Sequence, residues 1–314
     1  MAFFASLVSS LFIQNHEEKA FLSWMRQYNE FYTQDEYHLR LGIFLTNMRF
    51  VQNFKGSFKV GLNRFAAITP SEYMALLGNP TKFDNPHEKS DTTKLQLKSD
   101  PPSELDWRAK GAVTDVQDQG GCGSCWAFAG IATIEGAWAV ANGELYKLSE
   151  QNPLDCSWDA SGCYGGAPRQ VFIHAIEKQE GKFMLAADYP YLGYQDTCHY
   201  DPSKALCHVS QYQLVFDEGL LQGLVATYGP TAISMDASGA SFQMYTSGIY
   251  DGHDCTRMHN HAVTVVGYGE ENGVDYWIVK NSWGSWWGEE GYFRILRMAY
   301  ICEISTNIVA VTGL

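Results

Sequence analysis

The positions of the cysteines constrain the fold of this chain more than any other feature of its sequence. All eight lie after residue 121, at positions 122, 125, 156, 163, 198, 207, 255 and 302. Cysteines at such spacings are typical of an exported domain that is cross-linked by disulfides. If one of them is a free nucleophile, seven remain, and three disulfides then leave one odd thiol. The sequence thus predicts a disulfide-linked second part and a first part without disulfides.

The two parts of the chain also differ in charge. Residues 1–100 hold 11 Lys and Arg against 10 Asp and Glu, whereas residues 101–314 hold 11 against 25. Nucleic-acid binding needs basic patches, so we expect no nucleic-acid partner. Apolar residues make up 46% of the chain, which is enough to bury a sizeable core. No apolar run is long enough to predict a membrane-spanning helix.

The N-terminus has the composition of a targeting segment. Residues 1–13 are apolar or small and resemble the apolar core of a secretory signal peptide. The basic segment that usually precedes such a core is missing, so an ordinary apolar N-terminus is the alternative. Because the cysteines also argue for export, we predict a signal peptide over residues 1–16.

The rest of the first part is predicted to be helical and then extended. Apolar residues recur at intervals of three and four through residues 17–54. Thr33, with Glu36 three residues later, is typical of a capping box that begins a second helix in this stretch. Residues 79–100 are polar and lack periodicity, which predicts an extended linker.

The second part is predicted to begin with helices and to end with strands. A helix is expected over residues 125–141, because its apolar residues follow a 3.6-residue period and Asn142-Gly143 can end it with a left-handed cap. Four later segments are short, rich in Val, Ile and aromatic residues, and separated by glycine. These predicted strands are residues 231–235, 261–268, 276–280 and 292–296. Helices followed by strands are typical of an α+β fold in two lobes.

The most informative stretch is residues 119–126, QGGCGSCW, which ends at the start of the predicted helix. A nucleophilic cysteine reacts as the thiolate, and the positive end of a helix dipole favours a thiolate at Cys125. The glycines before it allow a backbone to approach closely. A lone cysteine at a helix start is more often structural, but the surrounding sequence here favours the nucleophile.

A nucleophilic cysteine needs a base, and the base needs an orienting partner. His261 opens a predicted strand, which holds a side chain more rigidly than the loop-like sequence around His253 and His259. Asn281 ends the next predicted strand and can accept a hydrogen bond from an imidazole, with nearby tryptophans keeping water away. Taken alone, a turn asparagine among core tryptophans is the simpler interpretation of that last segment.

Together these motifs resemble the papain family of cysteine proteases, on the cathepsin L side. The resemblance is carried by residues 106–128, 261–269 and 281–288, which follow one another in the family's order. It implies a cysteine endopeptidase made as a zymogen, which cleaves proteins or peptides through an acyl-enzyme intermediate without a cofactor or metal. An inactive homologue that acts as a binding protein or inhibitor is the alternative, and the presence of all the expected catalytic residues favours the enzyme.

The resemblance also implies a fold and a domain organisation. The fold would be α+β and papain-like, with a helical left lobe and a β-barrel-like right lobe, preceded by a helical propeptide that inhibits the enzyme intramolecularly. Residues 17–100 would be the propeptide and 101–314 the peptidase domain, with the helical lobe over about 101–210 and the strand-rich lobe over about 211–314. The mature enzyme would be a monomer, either secreted or held in a lysosome-like vesicle.

The catalytic roles follow from the same resemblance. Cys125 and His261 would form a thiolate–imidazolium pair, Asn281 would orient His261, and Trp283 would shield their hydrogen bond. The side-chain amide of Gln119 and the backbone N–H of Cys125 would form the oxyanion hole.

The resemblance selects one of the fifteen ways to pair six cysteines. The implied disulfides are Cys122–Cys163, Cys156–Cys198 and Cys255–Cys302, which leaves Cys207 as a free thiol.

The substrate site is implied in the same way. Substrate backbone would lie along Gly165 and Gly166, and Trp287 would offer an apolar surface on the leaving side. The main pocket would take the side chain one residue before the one at the cut, with a preference for apolar or aromatic groups. It would be lined by Ala167, Pro168, Ser234, Ala262 and Asn307.

Four residues depart from the family pattern. Lys55 stands where the family usually has Asn, and Ala67 replaces an Asp that is linked to acid activation, so the usual acid trigger is in doubt. Pro153 is expected to kink a short helix that Ser149 opens. Glu303 stands where the family usually has Gly.

Overall fold

The structure, a computed structural model, describes residues 15–78 and 92–314. The predicted signal peptide lies outside the described residues except for residues 15 and 16. The predicted linker lies outside them from residue 79 to residue 91. In its described part, the linker runs along the surface of a later helix, where the backbone N–H of Lys98 donates to Thr227 Oγ1 at 2.9 Å.

Helices dominate the first half of the described chain. The α-helices are Asn15–Tyr28 (α1), Gln34–Asn53 (α2), Pro70–Leu77 (α3), Cys125–Asn142 (α4), Gln151–Cys156 (α5), Pro168–Lys178 (α6), Glu218–Tyr228 (α7) and Ala240–Gln243 (α8). The helix predicted over residues 125–141 is confirmed as α4. Gly143 ends it with a φ of 75°, in the left-handed conformation that the sequence predicts.

Most strands lie in the second half. The strands of the described chain are Lys59–Val60 (β1), Leu105–Asp106 (β2), Phe183–Met184 (β3), Ala205–Leu206 (β4), Gln211–Val215 (β5), Thr231–Met235 (β6), Tyr245–Ser247 (β7), Ile249–Tyr250 (β8), His261–Glu271 (β9), Val274–Lys280 (β10), Tyr292–Leu296 (β11) and Ile308–Gly313 (β12). All four predicted strands are present. β6 and β11 have the predicted bounds, whereas β9 extends further and β10 begins earlier.

One large sheet forms the strand-rich lobe. Its strand order is β5-β12-β6-β9-β10-β11-β8, and β2 pairs with β9. The pairing of β11 with β8 is parallel, and the other pairings in this sheet are antiparallel. α4 packs against β9 on one side and against α6 on the other. The first turn of α4 therefore lies where the helices meet the sheet.

The first part of the chain folds onto the strand-rich lobe. Phe21, Trp24 and Phe44 cluster between α1 and α2, with ring centroids 5.1 to 5.8 Å apart. β1 pairs with β7 in an antiparallel arrangement. Buried residues from α1 to α3 belong to the same hydrophobic core as the sheet. The contact between the two parts is thus a continuous apolar core, extended by backbone pairing.

Two segments of the first part have the sequence of a capping box, and one forms it. Thr33 precedes α2, but its side chain makes no capping hydrogen bond. Glu36 instead lies 3.4 Å from Arg40, one turn along the helix. The start of α2 is predicted well, but the capping box there is wrong, because Gln34, the first residue of the helix, has a left-handed φ of 53° in place of the helical value that a box requires. Thr69 and Glu72 form a complete capping box at the start of α3.

The cysteines pair as three disulfides, two in the helical lobe and one in the strand-rich lobe. They are Cys122–Cys163, Cys156–Cys198 and Cys255–Cys302. Cys125 and Cys207 keep free thiols, and both are buried.

Two departures from the family pattern have clear structural outcomes. Pro153 is the third residue of α5. A backbone N–H in the first turn has no acceptor within its own helix, so the proline costs no helical hydrogen bond and gives no reason for a kink. Glu303 has a φ of 62°, in the left-handed region that glycine adopts without strain.

Candidate active site

The thiol of Cys125 lies at the N-terminal end of α4. Cys125 is the first residue of that helix, and only 3% of its surface is exposed. The residue before it, Ser124, is fully buried, and its hydroxyl lies 2.7 Å from the hydroxyl of Tyr191. The start of the helix is thereby fixed against the helical lobe. Its backbone N–H groups point towards the sulfur and favour negative charge there.

His261 and Asn281 meet through the pairing of β9 and β10. His261 is the first residue of β9, and Asn281 follows the last residue of β10, its antiparallel neighbour. His261 Nε2 lies 2.8 Å from Asn281 Oδ1, which also accepts from the backbone N–H of Ser282. Because Oδ1 accepts, Nε2 carries the proton and Nδ1 is left as the basic nitrogen. Among the described residues, no group forms a hydrogen bond with His261 Nδ1.

An indole covers the bond between His261 and Asn281. Trp283 stacks on the imidazole with a centroid distance of 4.7 Å and an interplanar angle of 26°. Trp283 is itself almost fully buried. The cover excludes water, which strengthens the hydrogen bond beneath it.

The thiol and the imidazole lie close together and are both in an environment that favours their neutral forms. The sulfur of Cys125 is near the backbone N–H of Ala262, the residue after His261. Burial raises the pKa of the Cys125 thiol to about 11, although nearby backbone N–H groups lower it. Burial likewise lowers the pKa of His261 to about 4, against the opposing effect of Asn281. Both shifts favour the uncharged thiol and the uncharged imidazole beneath the covering segment.

Gln119 presents its side-chain amide beside the thiol. The residue is fully buried, and its Oε1 accepts from Ser282 Oγ at 2.6 Å. Its Nε2 donates to the backbone carbonyl of Cys122 and to that of Leu76, both at 2.8 Å. Because Ser282 holds Oε1, Nε2 points towards the Leu76 carbonyl, which belongs to the first part of the chain.

Residues at the end of α3 cover the thiol. Cys125 Sγ donates to the carbonyl oxygen of Leu77 at 3.3 Å. The next residue, Gly78, lies so close to Gly123 and Gly165 that an added Cβ would be 3.2 Å from the backbone of each. The first part of the chain therefore occupies the cleft directly above Cys125.

The covering segment runs through the cleft in one direction. Phe65 packs edge-on against Trp283, with ring centroids 5.2 Å apart. Further along the chain, the hydroxyl of Tyr73 donates to Ala237 O at 2.7 Å. The segment then passes Cys125 and reaches Gly165. It thus runs from the tryptophan side of the cleft to the glycine side.

Comparison with known families agrees with this geometry. Residues 101–312 match the family described as papain family cysteine protease. The chain belongs to the papain family. Residues 21–73 match the cathepsin propeptide inhibitor domain, so the helical first part of this papain-family chain is a propeptide.

Several papain-family relatives span most of the chain. Pro-cathepsin H of Mus musculus is 37% identical over 302 residues, which cover 92% of this chain and 89% of the relative. Cathepsin S of Rattus norvegicus is 39% identical over 278 residues, which cover 84% and 83%. The prediction of a papain-family cysteine protease precursor is confirmed.

Solved proenzymes of the papain family have the same fold. The digestive procathepsin L2 proteinase from the larval midgut of Tenebrio molitor has a TM-score of 0.85 at 32% identity, covering 94% of this chain and 99% of that one. The proform of Amb a 11, a cysteine protease and ragweed pollen allergen, also has a TM-score of 0.85, at 33% identity and 96% coverage of both chains. The predicted α+β papain-like fold with a helical propeptide is confirmed.

The residues predicted for the papain-family substrate pocket lie on both lobes. Ser234 and Ala262 are opposite each other in the pairing of β6 with β9, and the N–H of Ser234 donates to Asn307 O at 3.0 Å. Ala167 and Pro168 begin α6 in the helical lobe, next to Gly165 and Gly166. All five of the predicted lining residues are buried. Gly166 must be a glycine, because an added Cβ would lie 2.6 Å from the indole of Trp126.

Trp287, which is predicted to offer an apolar surface on the leaving side, is fully covered in the zymogen. Its indole is fully buried against Phe242, Tyr245 and Phe293 of the strand-rich core. It also packs edge-on against Trp283, with ring centroids 4.9 Å apart, and the surface that it offers once the propeptide is removed stays a prediction. Its neighbour Trp286 is only partly buried and faces the cleft, where it packs against Phe65 at 4.9 Å.

Two features of the site lay beyond the sequence predictions. Ser282, which directs the amide of Gln119, has no distinctive sequence signal beyond its place after Asn281. The Leu76 and Leu77 carbonyls are backbone groups, so their role cannot be read from side-chain identity.

Within residues 15–78 and 92–314, no helix is long and apolar enough to cross a bilayer. The same residues hold no cluster of side chains that could bind a metal ion.

Proposed function

We propose that the mature enzyme hydrolyses peptide bonds with Cys125 as nucleophile and His261 as acid and base. The main support is the hydrogen bond of 2.8 Å between His261 Nε2 and Asn281 Oδ1, covered by Trp283 and adjoining the thiol at the start of α4. That bond directs the basic nitrogen of the ring away from Asn281, which is what a proton acceptor for the thiol requires. Removal of the propeptide exposes both groups to water, which favours the charged pair.

In the proposed reaction, the Cys125 thiolate attacks the carbonyl carbon of the substrate and a C–S bond forms. The carbonyl electrons move to oxygen, and the His261 imidazolium gives its proton to the leaving amine as the C–N bond breaks. A water molecule then gives a proton to His261 and attacks the acyl group. The C–S bond breaks, which releases the acid and restores the thiolate.

Gln119 and the backbone N–H of Cys125 would stabilise the oxyanion. The support for Gln119 is its contact with the propeptide, since its Nε2 already donates to a carbonyl oxygen, that of Leu76, at 2.8 Å. The bond from Ser282 to Oε1 holds the amide in this orientation before substrate arrives. Donors that need no reorganisation are the ones that contribute most to transition-state stabilisation.

The propeptide inhibits, in this proposal, because it fills the cleft without offering a bond that can be cleaved. The oxygen of the Leu77 carbonyl, rather than its carbon, faces the sulfur and accepts its proton. The chain also runs from the leaving side to the glycine side, whereas a substrate that binds along Gly165 and Gly166 would run the other way. Neither arrangement presents a carbonyl carbon to the thiolate.

The proposed substrates are proteins or peptides that are cleaved internally. The pocket formed by Ala167, Pro168, Ser234, Ala262 and Asn307 has small walls, which favours an apolar or aromatic side chain one residue before the one at the cut. Asn307 Oδ1 is buried and has no hydrogen-bond partner among the described residues, so it can accept from a polar substrate group.

We also propose that maturation cuts near residues 100–102, separating a propeptide over 17–100 from a peptidase domain over 101–314. Asp100 and Pro102 are exposed. A segment must be exposed if another protease is to cleave it. Secretion or delivery to a lysosome-like vesicle remains our proposal for its location, and it fits the three disulfides.

The proposal is tested by labelling acid-activated protein with a mechanism-based thiol inhibitor. We expect one labelled residue, Cys125, and no labelling in Cys125→Ala. Cys207→Ala is the matched control, because it removes the other free thiol and should leave labelling intact. Labelling that persists in Cys125→Ala would contradict the assignment. A peptide library with the activated enzyme, compared between wild type and Asn307→Ala, then tests the pocket.

A further inference from the structure

A groove on the tryptophan side of the cleft holds an arginine of the propeptide. The groove has a volume of about 420 Å³ between the propeptide and the peptidase domain, and its lining includes Arg64, Asp118 and Trp286. The Arg64 guanidinium lies over the Trp286 indole, 5.2 Å from the ring centroid. Trp286 Nε1 donates to Asp118 Oδ2 at 3.3 Å. The propeptide thus places a planar cation on the face of an indole whose N–H is hydrogen-bonded to a carboxylate.

We propose that in the mature enzyme Trp286 and Asp118 bind an arginine side chain of the substrate, within the first three residues after the scissile bond. This inference rests on the proposed function, because it assigns a specificity to the same cleft. Propeptide removal takes Arg64 away and leaves the indole and the carboxylate open to the leaving part of a substrate.

The position of the groove places it on the leaving side. Trp283, which covers His261, contacts the same propeptide residue as Trp286 does, namely Phe65. Gly165, where the acyl part of the substrate would bind, is reached at the other end of the covering segment. A substrate residue beyond the leaving amine therefore passes Trp283 first and Trp286 next. Successive residues of an extended chain advance about 3.3 Å each, so a long side chain from one of the first three can reach the indole.

The chemistry of the two residues selects arginine. A guanidinium stacks on an indole through its flat face and can donate to a carboxylate at its edge, whereas an ammonium is a compact and strongly hydrated charge. Asp118 Oδ1 accepts from the backbone N–H of Gly120 at 2.9 Å, and Oδ2 accepts from Trp286. A carboxylate has about four acceptor sites, so two remain for a guanidinium.

Arg64 supports the choice of arginine, because its side chain already lies on the Trp286 indole. It is exposed, so its placement over the indole is not imposed by burial. The reversed direction of the propeptide changes how its backbone binds, but a side-chain contact between a cation and a ring has no chain direction. The excess of acidic residues after residue 100 adds a field that attracts basic segments to the domain.

The test uses activated enzyme and fluorogenic peptides that differ at one position. Arginine, its uncharged analogue citrulline, lysine and norleucine are placed in turn at the first, second and third residue after the cut. We expect kcat/KM for arginine to exceed that for citrulline about three- to tenfold at one of these positions, as an exposed cation–π contact plus an exposed ion pair would give. High salt should reduce this ratio, because both contacts are exposed.

Variants then separate the two contacts. Asp118→Asn and Trp286→Leu should each lower the arginine-to-citrulline ratio towards one, whereas Trp286→Phe should keep part of it. A ratio measured within one enzyme is insensitive to a general loss of activity. Glu144→Gln is the matched control, since it removes one acidic charge near the far end of α4 from Cys125 and should leave the ratio unchanged.

Three results would overturn the inference. Equal cleavage of arginine and citrulline peptides at all three positions by an active enzyme would refute it and leave the proposed function standing. The same fall in the ratio for Glu144→Gln as for Asp118→Asn would show a general charge effect in place of a binding site. No cleavage of any peptide, together with no thiol labelling, would refute the proposed function as well.

Discussion

The thiol beneath the propeptide should be far less ionised than an ordinary cysteine. Burial raises the pKa of Cys125 from 9.0 to about 11 in the zymogen. Each pKa unit changes the thiolate fraction about tenfold, so at neutral pH that fraction should be about a hundredfold lower than for an exposed cysteine. His261, whose pKa burial lowers to about 4, cannot offset this by forming an imidazolium above that pH.

Alkylation of the zymogen by iodoacetamide measures this directly, because only the thiolate reacts. The rate is followed by mass spectrometry on the unprocessed chain, so that matured enzyme is not counted. We expect the rate constant for Cys125 to rise about tenfold per pH unit between about pH 6 and pH 9. The Leu77 carbonyl also limits access, but access lowers the rate equally at every pH and leaves the slope unchanged. Cys207→Ala removes the other free thiol, whose pKa burial raises to about 12.

The matured enzyme is the internal comparison. Once the propeptide is gone, the proposed thiolate–imidazolium pair should make the alkylation rate nearly independent of pH around neutrality. If the zymogen already shows such a flat profile, the pair persists beneath the propeptide. The conclusion that burial neutralises both groups would then be wrong, and latency would rest on blocked access alone.

Three further predictions concern single residues. Asn281→Ala should lower kcat about 10- to 100-fold with a smaller change in KM, because His261 loses the acceptor that orients it. Steady-state kinetics measures both constants, and an unchanged kcat would contradict that role. The hydrogen bond from Arg40 lowers the pKa of Glu72 to about 2, so this exposed pair should add about 1 kcal/mol to zymogen stability above about pH 4.5 and lose it as the pH falls towards 2. Denaturation at several pH values should show that wild type is more stable than Glu72→Gln near neutrality and that this difference in unfolding free energy disappears in acid. A difference that persists in acid would contradict the prediction. Glu303→Gly should raise the unfolding free energy by about 1 kcal/mol, because it relieves a left-handed φ. Glu104→Gly, at a position without a left-handed φ, is the control that should not stabilise.

Local patterns predicted the long elements well. α4 was recognisable because its apolar period, its start at Cys125 and its end at Gly143 all depend on neighbouring residues. The bounds of β6 and β11 came from short apolar runs between turn residues. The two-residue strands could not be predicted, because β1 is a strand only through its pairing with β7, whose paired residues lie 185 and 188 positions further along the chain.

Side-chain partners were predicted less well where the backbone conformation decides them. The signature at Thr33 matches a capping box as well as the one at Thr69 does. Only the structure shows that Gln34, which follows Thr33, has a left-handed φ and that the first box is unmade. In the same way, Trp286 and Trp287 are adjacent and identical in type. Trp286 alone of the two is partly exposed in the zymogen, because Trp287 packs against Phe242 and Phe293.

The sequence by itself determined the nucleophile candidate, the helix behind it and the family, because these depend on residues close together in the chain. Among three histidines within nine positions of one another, His253, His259 and His261, it favoured His261, which opens a predicted strand. The tertiary structure supports that choice, since the antiparallel pairing of β9 with β10 brings His261 to Asn281. It also shows that the thiol is covered in the zymogen. Burial by a segment some fifty residues earlier in the chain raises the pKa of that thiol, and local sequence cannot encode this effect.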